Sequence, residues 1–224
     1  MSNPTTISAQ CPYCKSDIEI PYFEEVNIAK QPEMKTAILS GNFFKYTCPK
    51  CGKTLSTAGP LLYHDPDVPT MLYFVPTGFD ASTDQLDEML KIIQDMEGDK
   101  TTLYQARLVT SIDKLLEKIY IQDALLDDRI VELVKLTYLK HYSSELQNKG
   151  KIYETLFMPS NDGEEAQIVF ILGDNHEMAS VDFSKDYYAF FATEYAERLQ
   201  NEAKQNHFRV IDEKWAVNFL TNQG

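Results

Sequence analysis

Residues 11–14 read CPYC and residues 48–52 read CPKCG, and the 224-residue chain has no other cysteine. Each pair has the Cys-x-x-Cys spacing that lets two sulfurs of one turn face the same point. Together the pairs supply four thiolates to one tetrahedral ion. A proline after the first cysteine of each pair, Pro12 and Pro49, fixes the backbone turn. Gly52 follows Cys51 and can take the positive φ such a turn needs. In a reducing compartment paired Cys-x-x-Cys motifs read as a metal site before they read as disulfides. The sequence therefore predicts one metal bound by Cys11, Cys14, Cys48 and Cys51, with Zn²⁺ as the default ion and iron as the alternative. Four protein ligands leave no open position for water, so the metal is expected to be structural.

Around the cysteines the first segment reads as short strands. SDIEIPYF (16–23) alternates Ile18, Ile20 and Tyr22 on one side. PEMKTAIL (32–39) reads as a short helix opened by Pro32 and stopped by Gly41. PLLYHDPDVPTMLYFVP (60–76) reads as two strands joined by a turn at Asp65-Pro66-Asp67. Helices dominate the middle. STDQLDEMLKIIQDMEGD opens with a Ser82–Gln85 capping pattern and places Leu86, Met89, Leu90, Ile93 and Met96 on one face. A short strand, YQARLVT, follows. Two more helices carry stripes at Ile112, Leu115, Leu116, Ile119 and at Ile130, Val131, Val134, Tyr138, Leu139.

The pattern changes at NKGK (148–151). IYETLFM, AQIVFIL and MASVDF read as three strands with short links, hence an antiparallel meander. A long helix, SKDYYAFFATEYAERLQNEAKQ, is predicted next, capped by Ser184, with Tyr188, Phe191, Tyr195 and Leu199 along one stripe. FRVI reads as a last strand and DEKWAVNFL as a last helical turn or two. The fold class is α+β, in three segments: a β region around the cysteines over 1–78, a helical stretch over 79–149, and a C-terminal α+β segment over 150–224.

Composition and charge narrow the function. The chain is 43% apolar and 25% charged, which suffices for a sizeable core without disulfides. The start, MSNPTTISAQ, has no basic region and no apolar stretch of a secretory signal, and the longest apolar runs are too short to span a bilayer. A cytoplasmic location is expected. The net charge of −13 is spread as −1 over residues 1–75, −5 over 76–150 and −7 over 151–224. Phosphate binding needs clustered Lys and Arg, so nucleic acid is an unexpected partner except at the near-neutral first segment, and an anionic membrane surface is disfavoured.

The residues CPYC, VNIAKQPEMKTAILSGNFFKYTCPKCG and PLLYHD together resemble the CpXC domain, a bacterial and archaeal family named for its two Cys-Pro-x-Cys motifs. The similarity runs on through RLVTSIDKLLEKIYIQDALLDDRIVELVKL, covering roughly residues 10 to 140. The resemblance implies a zinc ribbon-like region with the four cysteines as ligands, continued by the helices of 79–149. It implies no activity. Lys15 stands where a ribbon knuckle often has glycine.

Other polar residues are weaker candidates. His64 and Asp65 at a strand end can act as a general acid/base or meet a partner, but no nucleophile stands at a recognisable spacing, and backbone hydrogen bonding with turn capping explains them as well. Asp127 and Asp128 can bind a divalent ion; against that, acids in the first turn of a helix complement its dipole, and Arg129 can pair with an acid. The aromatic helix near Tyr187 and Phe190 has a wide apolar face that leaves room for a homodimer contact. The sequence carries no GxGxxG, P-loop, GxSxG or HExxH pattern. The expectation is a non-catalytic zinc-binding protein that works through protein contacts, as an adaptor or regulatory subunit. An enzyme using His64 is the alternative, and a ribbon that binds nucleic acid the third.

Overall fold

A computed structural model describes residues 4–79, 82, 84–96, 104–160, 163, 165–173, 176–203 and 207–221. The chain divides into two compact units, residues 1–112 and 113–224. The division falls within the stretch read from sequence as 79–149.

The first unit is built around a four-stranded sheet and two hairpins. Strands β1 (Thr5–Gln10) and β2 (Asp17–Tyr22) pair antiparallel, from Thr5 opposite Tyr22 to Gln10 opposite Asp17. The first cysteine pair lies in the turn between them. Strand β3 (Glu25–Asn27) is followed by α1 (Pro32–Leu39), which has Pro at its start and buries Ile38. Gly41, at φ 70°, lets the chain leave that helix into a 3₁₀ turn over Asn42–Phe44. Strands β4 (Lys45–Thr47) and β5 (Thr54–Ser56) form the second hairpin, which holds the second cysteine pair. Then come β6 (Leu61–Asp65), β7 (Thr70–Phe74), α2 (Asp84–Met96) and β8 (Gln105–Val109).

The sheet order is β3-β6-β7-β8. β6 and β7 form the antiparallel hairpin expected at Pro66-Asp67, while β3 and β8 lie parallel to their neighbours. Parallel neighbours need crossovers. The first is made by α1 and the β4–β5 hairpin, the second by α2. Every residue of β6 is buried, and Val26, Ile38, Met71, Leu72 and Leu90 have no accessible surface. The Ser82–Gln85 capping pattern and the inner-face roles of Met89, Ile93 and Met96 fall on side chains outside the described residues.

The second unit begins with α3 (Ile112–Asp123) and α4 (Asp128–Lys149), followed by β9 (Ile152–Pro159), β10 (Ala166–Leu172) and β11 (Glu177–Asp182). The three strands form the expected antiparallel meander, ordered β11-β10-β9. Helix α4 packs Val131, Leu133 and Val134 into a core shared with Phe157, Ile168, Phe170 and Leu172 of the sheet. The long aromatic helix predicted from sequence is two helices, α5 (Lys185–Glu194) and α6 (Ala196–Ala203). Ser184 caps α5 as expected, accepting from the Tyr187 N–H. Tyr195 leaves helical geometry at φ −111°, ψ 17°. Its ring stacks on Phe191 and meets Phe219 edge-on, so packing against α7 (Glu213–Thr221) overrides the continuous helical pattern. FRVI is not a strand either. Only Arg209 makes an isolated bridge, and the burial of Phe208 and Ile211 with Val210 exposed breaks the alternation of a strand.

Candidate metal centre

The two cysteine turns are built alike. In the first, Lys15 N–H donates to the Cys11 carbonyl at 2.9 Å and Cys11 N–H to the Ser16 carbonyl at 2.9 Å. In the second, Gly52 N–H donates to the Cys48 carbonyl and Cys48 N–H to the Lys53 carbonyl, both at 2.9 Å. The residue after the second cysteine is left-handed in each, with φ 60° at Lys15 and 69° at Gly52. Lys15 therefore adopts the glycine conformation without being glycine, at a cost of roughly 1 kcal/mol. Hairpins β1–β2 and β4–β5 carry the turns.

All four sulfurs lie within 4.8 Å of one another. Cys11 Sγ is 3.8 Å from Cys51 Sγ, and Cys14 Sγ is 3.8 Å from Cys48 Sγ. Metal–sulfur bonds of about 2.3 Å in a tetrahedron require edges of about 3.8 Å. The residues fit the group. The four cysteines are free thiols, so the separation is that of a ligand shell rather than of disulfides. Cys11 and Cys48 are buried, Cys14 half-buried and Cys51 exposed. Few apolar side chains surround them. Ile18 and Leu55 are buried with the cysteines, and Ile20 and Tyr46 pack alongside.

The electrostatics are those of a cation site. The backbone N–H and hydroxyl of Ser16 draw the Cys14 thiol down to about 6. Burial pushes Cys48 up, but the N–H groups of Cys51 and Lys50 outweigh it and hold that thiol below its usual range. The Lys53 N–H acts downwards on Cys51, yet lost solvation and the three sulfurs around it push it up to about 12. Backbone donors favour thiolates at Cys14 and Cys48, while lost solvation and hydrogen bonds to the neighbouring sulfurs hold the proton on Cys51.

The chain matches the CpXC protein family over residues 9–135. It belongs to that family. The matched stretch spans all four cysteines and extends through α3 into the buried turns of α4. No curated protein and no solved structure matches the chain. The four clustered cysteines all lie within the matched stretch.

The other sequence candidates are dispersed. His64 sits on β6, 7% exposed. Its Nδ1 is 3.2 Å from the Asn27 amide and its Nε2 3.1 Å from the Tyr104 hydroxyl, so both ring nitrogens are engaged. Asp65 accepts from Lys35 Nζ and from the Tyr63 hydroxyl, each at 3.3 Å. In the second unit Asp127 caps α4, taking the Arg129 N–H at 3.0 Å and the Arg129 guanidinium through both oxygens. Arg129 also donates to the Leu199 carbonyl at 2.7 Å. Asp128 pairs with Lys118 at 2.9 Å. The structure does not bring the two aspartates together as ligands. The cysteines form the one metal-binding cluster among the described residues.

Sequence reasoning missed a buried ion cluster between α3 and α4. Glu117, Lys118, Asp128, Glu132 and Lys135 are each at most 3% exposed. Lys135 Nζ lies 2.6 Å from Glu117 and 2.9 Å from Glu132, and Lys118 bridges Asp128 and Glu132. Lys114 reaches Glu117 at 2.9 Å and the Thr155 carbonyl at 3.0 Å. Glu117 also accepts the Phe157 N–H at 2.7 Å. The spacing Asp128, Glu132, Lys135 at i, i+4, i+7 is the one signal in the sequence, since it places three charges on one helical face; the same spacing describes many solvated faces.

Proposed function

We propose that the four cysteines hold one structural Zn²⁺ and that this CpXC protein works in the cytoplasm through contacts with other proteins, as an adaptor or regulatory subunit without catalysis. The closed four-sulfur set carries the reading: all four positions of a tetrahedral ion are taken by protein, leaving none for water or substrate. Iron fits the same ligands by chemistry and is the alternative. When bound, the metal supplies a cross-link between the two hairpins. Cys11, Cys14, Cys48 and Cys51 hold it, and the backbone donors of Ser16, Lys50, Cys51 and Lys53 stabilise the thiolates.

The polar groups outside the ribbon favour structure over chemistry. His64 has both nitrogens occupied, and the charged cluster of α3 and α4 is internally paired. Charge argues against nucleic acid, because the chain is −13 overall. No helix among the described residues is long and apolar enough to cross a membrane. The test is proximity cross-linking in the native cell, with metal analysis of the recovered protein. Specific protein neighbours and one zinc per chain are expected. A single dominant small-molecule turnover activity, or nanomolar salt-sensitive binding to oligonucleotides, overturns it.

A further inference from the structure

We propose that the apolar groove beside the ribbon, in the first unit, receives an extended segment of a partner polypeptide in which an aromatic or large aliphatic residue stands next to an acidic one. The proposal deepens the contact-based reading above and rests on it. The groove has a volume of about 590 Å³ and is walled by Ile7, Tyr22, Phe43, Tyr46 and Phe79 among others. That size suits one or two large side chains. Ile7 and Phe79 are about half exposed, at 45% and 53%. Apolar surface of this kind, gathered in a concavity, marks a place where another molecule is buried.

Two observations say what that molecule is. The first is charge. Among the described residues Lys45 is the one charged side chain lining the groove. It is exposed at the start of β4, and among the described residues its ammonium has no ion-pair partner. An occupant with a carboxylate beside its apolar anchor satisfies it, whereas a basic one meets repulsion. The second is backbone. β1, which contributes Ile7 to the wall, pairs with β2 alone among the described strands. Its sequence, TTISAQ, holds no charge and no proline over six residues, the usual protections of a free edge. Its partner β2, by contrast, carries Asp17, Glu19 and Pro21. An open edge offers backbone donors and acceptors that a polypeptide strand can match and a free amphipathic acid cannot.

The test uses fluorescence anisotropy on the intact, metal-loaded protein. The probes are two labelled decapeptides, one alternating Phe or Ile with Asp, the other with Lys in place of Asp. The acidic peptide should bind with a Kd in the micromolar range, and at least about fivefold more tightly than the basic one, the size of one partly exposed charge pair. Lys45→Glu should reverse that preference. Ala58→Trp, which fills the groove, should abolish binding of both, with metal content and thermal transition unchanged as the check on folding. Lys45→Glu lies on the surface and keeps the test alive if Ala58→Trp does not fold. Equal affinity for the two peptides, no binding at 100 µM (about −5.5 kcal/mol), or displacement by dodecanoate at lower concentration than by unlabelled peptide would each overturn the proposal. Protein neighbours in the cell that persist in both variants would leave the contact-based function standing and sink the groove. A groove that binds the acidic peptide in a protein without cellular neighbours would do the reverse.

Discussion

Replacing Glu117 by Gln removes one charge from the cluster between α3 and α4 while keeping an oxygen for the Phe157 N–H. The native carboxylate is fully buried, and burial alone would raise its pKa. Lys135, then Lys114 and Lys118, outweigh that and pull it down to about 2 from an ordinary 4.5. A depressed carboxyl pKa contributes stability that is complete above the unfolded value and fades as pH falls towards the folded one. The difference, at 1.36 kcal/mol per pKa unit, is about 3 kcal/mol above pH 5, shrinking to roughly half of that at pH 3. Independent experience with broken buried pairs gives about 3–5 kcal/mol, because Lys135 is left under-compensated. Trp215 is the single tryptophan and packs on Phe219 within the second unit, so its fluorescence reports on that unit alone. With a urea m-value of about 1.5 kcal/mol/M, E117Q should lower the midpoint by about 2 M at pH 7 and by about 1 M at pH 3. A shift below about 0.3 M at pH 7 would refute the view that the pairing holds the unit together. A shift of equal size at both pH values would refute the assigned titration.

Stripping the metal with a strong chelator, or C48S, should speed hydrogen exchange in β1, β2, β4 and β5 and leave Ile168–Leu172 protected, because structural zinc can supply about 10–16 kcal/mol to a small site; equal loss in both places would contradict a local staple. Elemental analysis of protein purified without chelator should return one zinc per chain, and less than half an equivalent would count against the site. Lys15→Gly should relieve the left-handed strain and slow zinc transfer to a colorimetric chelator, with a gain of about 0.5–1 kcal/mol; faster transfer would show that the lysine serves another purpose. Asp127→Ala removes the cap of α4 and the Arg129 clamp, and should cost about 1–2 kcal/mol in the same Trp215 assay.

Much of the fold was legible because the relevant signals are local. Pro32 and Gly41 bracket α1, Asp65-Pro66-Asp67 turns the β6–β7 hairpin, and the meander of β9 to β11 follows from three apolar runs with short links. The metal ligands were legible for the same reason: Cys-x-x-Cys is a statement about one turn. What failed depends on distant partners. Nothing near Tyr195 says that Phe219 will draw it out of the helix. Nothing in FRVI says that its neighbours leave it without a ladder. His64 looked like a candidate base until Asn27 and Tyr104, 37 and 40 residues away in sequence, were found on its two nitrogens.

The buried charges raise the question of why α3 and α4 do not meet through leucines. A buried ion pair is seldom worth more than a well-packed apolar substitute. Here the sheet decides otherwise. β9 is an edge strand with β10 on one side, and no described strand lies on the other. Its outward groups at Thr155 and Phe157 are buried or nearly so and must find partners. Lys114 donates a hydrogen bond to the Thr155 carbonyl, and Glu117 accepts one from the Phe157 N–H. A leucine at 117 would leave that N–H orphaned in the interior. Once a carboxylate is needed there, its charge needs Lys135, and Lys135 in turn is shared with Glu132, which Lys118 also meets before reaching Asp128. The ion cluster thus follows from one backbone edge that a helix, rather than another strand, has to close.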